Sequence, residues 1–127
     1  MEPTNPTKAA KTNPSNLEEL EARRLQLEKE RGKPVYLVAA PTSKPKSIDE
    51  YVKWLPLFFR RPSRDELQSY LALQSAQRMF DATELMINSC VIEGDTQAIL
   101  DDDDLFFAIH TGFRGMIEMR QGVLKKS

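Results

Sequence analysis

The chain holds one cysteine, one histidine and one tryptophan among 127 residues, and neither sign of charge prevails. Each scarcity excludes something. A lone Cys90 forms no internal disulfide, so the disulfide scaffold of small secreted domains is ruled out. With His110 as the only histidine, no set of ligands at zinc spacing exists. Lys and Arg number 18 against 19 Asp and Glu, giving a net charge of -1, so no basic field exists to hold nucleic acid generally. None of the five glycines builds a phosphate loop or a dinucleotide fingerprint. No apolar run approaches bilayer length, and no apolar signal segment opens the chain. These absences lead to the expectation of a cytoplasmic, non-enzymatic protein with no cofactor, no metal and no membrane contact.

What the chain does have is globular: 40% hydrophobic and 29% charged residues, at a length suited to one small domain with tails. Residues 1–14, MEPTNPTKAAKTNP, carry few large apolar groups to offset the entropy of ordering and read as a disordered tail. Ser15 and Glu18 fit a capping box, predicting a helix over 15–32 that Gly32 and Pro34 stop. Its ionic pairs, such as Glu21 with Arg24, suit a solvated helix. Residues 33–127 read as a single small α+β domain, with a β ribbon over 34–61 and helices over 64–124. PVYLVAA is the first strand. PTSKPKS is a loop, and a second box at Ser47 and Glu50 supports a helical turn or two. LPLFFRR, because of Pro56, reads as an edge strand returning beside the first.

About three helices follow. Ser63 and Glu66 cap the first, which carries Leu67, Tyr70, Leu71 and Leu73. Asp81 and Glu84 suggest the same device for a second, DATELMINSCVI, apolar around most of its circumference and hence deepest. The third runs from about Asp102 to Val123. The four aspartates, Asp101 to Asp104, invite a calcium reading, but the sixth and twelfth positions of such a loop would be Phe106 and Gly112. They fit better as a cap and acidic first turn, which complement the helix dipole. Cys90 and His110 have no flanking signature of a hydrolase and read as structural.

Two surfaces remain as candidate partner sites. On the third helix, Phe106, Ile109, Phe113, Ile117 and Leu124 form one apolar seam, while Gly112, Met116, Met119 and Val123 form a second. The second seam packs on the N-terminal helix or on another copy in a homo-oligomer, or serves as a methionine-rich patch that adapts to a protein partner. Around residues 54–64, Arg60, Arg61 and Arg64 with Trp54 and Phe59 offer a basic-aromatic edge, as in a virion or nucleic-acid-associated accessory module. The succession FFRRPSRDEL, ELMINSCVIEGD and DDDDLFFAIHTGFRGMIEMRQGVLKK resembles the small tail assembly chaperones of long-tailed bacteriophages and related prophages, over roughly residues 34–126. The resemblance implies a small β element packed with helices and no catalytic residues. It also implies a helper that binds a tape-measure protein, keeps its apolar helices soluble and recruits tail-tube subunits. The linker PTSKPKSIDEYVKW and the proline-rich start depart from that pattern.

Overall fold

The computed structural model describes residues 15–42 and 53–126, with side chains through Gly115. The expected tail over 1–14 and the Ser47–Glu50 box lie outside the described residues. A three-stranded antiparallel sheet is covered by one helix on one face and by four on the other. This is the small α+β fold expected, although its third strand comes from between the helices.

Helix α1 (Leu17–Arg31) starts one residue later than the sequence suggested. Asn16, not Ser15, is the cap: its side chain accepts from the Glu19 amide at 2.8 Å, and the Glu19 carboxylate accepts from the Asn16 amide at 3.4 Å. The segment S-N-L-E-E offers both boxes. Ser15 is taken by the sheet, exchanging backbone hydrogen bonds of 3.0 and 2.8 Å with Trp54. Only the outer side of α1 is solvated, with Leu17 and Leu25 exposed. Leu20 and Leu27 are buried against Val35 and Phe58. Arg23 adds a two-pronged bond to Glu93 at 2.8 and 2.6 Å. The helix expected to be solvated is therefore a docked layer of the fold.

Strand β1 (Val35–Pro41) pairs with β2 (Trp54–Arg60), from Val35 opposite Arg60 to Pro41 opposite Trp54. Successive strand residues face opposite sides, so Phe58 packs under α1 while Leu57 and Phe59 enter the main core. Contrary to the edge-strand expectation, β2 is the central strand. The physical reason is parity. Trp54 directs its amide away from β1 to Ser15, and Pro56, two residues on, faces the same side. There the pairing with the third strand begins only at Leu57, so the donor that proline lacks has no acceptor to miss.

Helix α2 (Arg64–Ser75) carries the expected capping box, with Glu66 N–H to Ser63 Oγ at 3.1 Å and Ser63 N–H to Glu66 Oε1 at 2.8 Å. Gln77, at φ 62°, turns the chain, and the Arg78 amide reaches the Leu73 carbonyl at 2.8 Å. Helix α3 (Met79–Cys90) begins two residues before Asp81, so the Asp81–Glu84 start is corrected. Asp81 lies in the first turn and pairs with Arg78 at 2.8 Å. The helix also stops short of Ile92: Val91–Gly94 forms β3, antiparallel to β2 with a bulge between Phe58 and Phe59. The β-branched Val91 and Ile92 suit a strand, and Gly94 supplies a φ of 134° at its end. A short helix, α4 (Thr96–Asp101), follows under an Asp95 cap, and α5 (Asp103–Lys126) completes the chain. Phe113 of α5 fills the centre, 5.1 Å from Phe59 and 5.6 Å from Tyr70 between ring centroids. One turn of α5 crosses β1 so closely that a Cβ on Gly112 would stand 2.7 Å from Val38 Cγ1. No described helix is long and apolar enough to cross a membrane.

Candidate functional site

The basic-aromatic edge is largely absorbed into the fold. Arg60 donates to both Glu66 oxygens at 2.8 and 2.6 Å and to the Ser89 carbonyl at 2.7 Å, joining β2 to α2 and α3. Those bonds, with further ones from Ser63, hold the Glu66 carboxyl down at about 2. Phe59 is buried and Trp54 packs on the α1 side. Arg61 and Arg64 remain exposed. Met116, Met119 and Val123 lie on the last part of α5, where side chains are outside the described residues.

Burial pushes the Cys90 thiol up to about 11, and its Sγ lies 3.7 Å from Glu66 Oε1. A thiol so protonated is a poor nucleophile. The aspartate run divides between two helices. Asp101 ends α4, accepting from Gln97 at 2.8 Å. Asp102 caps α5, its Oδ1 accepting from the Asp104 and Leu105 amides at 2.9 and 3.1 Å. Asp103 and Asp104 form the acidic first turn, as the dipole argument requires. Among the described residues, no group of three or more His, Cys, Asp or Glu is placed to hold a metal ion.

His110 leads to a different surface. Its Nδ1 is 2.6 Å from Thr83 Oγ1, a buried link between α5 and α3. Burial, and then the charge of Arg114, lower its pKa below the ordinary histidine value. Over this link lies an aromatic patch. Phe80 stands edge-on to His110 at 5.0 Å, to Phe106 at 5.9 Å and to Phe107 at 6.5 Å. Phe107 in turn lies 6.3 Å from His110. Phe80 is 55% exposed and Phe107 59%, the two largest exposures among the described aromatic residues. Beside them a depression of about 470 Å³ runs along α5, lined by Phe107, His110, Thr111, Arg114 and Gly115.

Neither phenylalanine was singled out from the sequence as a binding residue. Phe80 fell before the expected start of its helix, and Phe107 fell in neither seam. The signal that finds Phe107 is the adjacent pair Phe106-Phe107. Neighbouring helix residues point about 100° apart, so one such ring turns outward when the other packs. Phenylalanine surfaces are ~200 Å², so covering the exposed halves of both rings removes ~200 Å² from water. At ~25 cal/mol per Å² that contributes ~5 kcal/mol before association costs are subtracted. The surface suits an apolar contact bordered by a cation. Comparisons with protein-family models, with curated proteins and with solved structures give no match to the chain.

Proposed function

We propose that this protein is a non-catalytic binding module that captures apolar helical segments of a protein partner. Following the resemblance of its sequence, the partner is a tape-measure protein, held soluble in the host cytoplasm while a bacteriophage tail assembles and tail-tube subunits are recruited. The observation that supports this reading is the Phe80–Phe107 patch, two rings mostly in water on a base fixed by the Thr83–His110 bond. Exposed rings clustered on one surface favour a binding site over solubility alone. A helix laid along α5 would cover them and enter the adjoining depression. The nucleic-acid reading loses support because Arg60 already has carboxylate and carbonyl partners.

Co-expression with a candidate tape-measure protein tests the proposal. Phe80→Ser with Phe107→Ser should leave the fold intact, since exposed changes mostly stay within ~0.5 kcal/mol. Capture of the partner should fall by about tenfold or more, as loss of even ~1.4 kcal/mol requires. Undiminished solubilisation by the folded double variant would reject this surface. A separate Met116→Ser, Met119→Ser pair tests the seam identified from the sequence.

A further inference from the structure

Among the described residues, the outer edge of β1 carries an unanswered set of backbone groups with a boundary at each end. Thr42 N–H bonds to Lys53 C=O at 2.9 Å across the pairing with β2, so even-numbered residues of this strand turn their amides and carbonyls toward β2. Val35, Leu37, Ala39 and Pro41 therefore turn theirs outward. At one end, Val35 is closed by α1: its N–H donates to Glu28 Oε2 at 3.0 Å, and its carbonyl accepts from Arg24 at 3.2 Å. At the other end, Pro41 has no N–H. Between them, Leu37 and Ala39 present both donor and acceptor, and no hydrogen bond to these outward groups is found among the described residues. An edge of this kind is a template for another strand.

We propose that β1 pairs antiparallel with β1 of a second copy of this chain, about a two-fold axis at Val38, making one continuous sheet across a homodimer. The edge is self-complementary, which points to a second copy as its partner. With the axis at Val38, Leu37 of each copy lies opposite Ala39 of the other, and each such pair exchanges both N–H and C=O groups. The closed Val35 falls opposite the donorless Pro41, so the pairing stops where the free groups stop. Side chains agree with this register. Leu37 meets Ala39 on the α1 side, while Tyr36 meets Ala40 and Val38 meets Val38 on the other, a large residue against a small one or equal against equal. A two-fold contact of this sort is isologous and closes at the dimer. It does not depend on the Phe80–Phe107 surface.

Sedimentation and amide exchange on the full chain test the inference. Over about 1 µM to about 1 mM, where weak dimers dissociate, the mass should rise from 14.5 kDa toward twice that value. The Leu37 and Ala39 amides should be protected in the dimer and exchange quickly on dilution, while those of Tyr36 and Val38 stay protected throughout. Ala39→Pro removes an outward donor without touching a bond to β2, and should weaken association by about tenfold or more. If that variant does not fold, the wild-type amide exchange decides alone. A monomer at every concentration overturns the proposal, and so does a dimer in which the Leu37 and Ala39 amides exchange freely. Protection of those two amides in the monomer would mean that the chain's own residues cover the edge, which also overturns it.

Discussion

Gly94→Ala should be among the most damaging small substitutions in this protein. The residue ends β3 at a φ of 134°, where a side chain is strained whatever space surrounds it. Space is also missing. A Cβ there would lie 2.6 Å from the Pro56 carbonyl oxygen, 2.8 Å from Leu57 Cδ2 and 3.1 Å from Leu57 Cα. Two of those atoms are backbone in the central strand, so relief requires β3 to withdraw from β2. Strained backbone costs ~1–3 kcal/mol and an overfilled site a similar amount, ~2–6 kcal/mol in all. Against a net stability of ~5–15 kcal/mol, this is a large share. At ~3–6 °C per kcal/mol, between the values for smaller and larger domains, the melting midpoint should fall by at least ~6 °C. Gly32→Ala is the control. Its φ of 66° is also left-handed, but nothing lies within 4 Å of an added Cβ, so only the backbone cost of ~1–2 kcal/mol applies. Thermal melts followed by circular dichroism should rank wild type, Gly32→Ala and Gly94→Ala in that order of falling stability. A Gly94→Ala midpoint equal to that of Gly32→Ala would refute the steric part of the reasoning.

Three further outcomes follow from the buried links and caps. The Glu66 carboxyl, held at about 2 rather than 4.5, contributes stability above pH 4.5 that disappears as pH falls toward 2. The wild-type advantage over Glu66→Gln in urea melts, on the order of 2 kcal/mol at pH 6, should shrink across that window; a gap independent of pH would show that the Arg60 pair is not its source. Cys90, fully buried with its pKa pushed up to about 11, should react with a thiol reagent far more slowly than free cysteine, and labelling at the free rate would place it at the surface. Asp102→Ala should cost ~0.5–2 kcal/mol through loss of its two amide contacts. A calcium-induced rise in melting temperature that this variant abolishes would instead make Asp102 a metal ligand.

The parts of the fold that follow from local chemistry were readable from residue order. Ser63 with Glu66 marked the start of α2 because both bonds of that box lie within four residues. Asp102 likewise marked the start of α5. Elsewhere a second local solution competed, and a distant contact decided between them. Ser15 and Asn16 both head a capping pattern, and the bridge to Trp54 selects Asn16. Cys-Val-Ile continues the apolar run of α3 on paper, but Phe58 and Phe59 draw Val91–Gly94 into the sheet. Pro56 argues against a central strand only where its missing amide would face a paired residue, and that depends on pairing parity and on where β3 begins, which no local rule supplies.

The same distinction explains why the structure adds a candidate site that residue order did not mark. A cluster of charge is conspicuous in a sequence, yet Arg60 sits where three elements meet, and its five donors are suited to tying them together. Hydrophobic spacing identifies the buried face of a helix, so it finds Ile109 and Phe113 and overlooks rings that pack only edge-on at the rim. Phe80 and Phe107 come from different helices and become neighbours through the Thr83–His110 bond, a pair 27 residues apart. That bond lies beneath the rings and is independent of their outer faces. Stability therefore resides in Phe59, Tyr70 and Phe113, whereas Phe80 and Phe107 leave more than half their surface to solvent. The two groups are separable by mutation, and that separation allows a loss of partner capture to be told apart from a loss of fold.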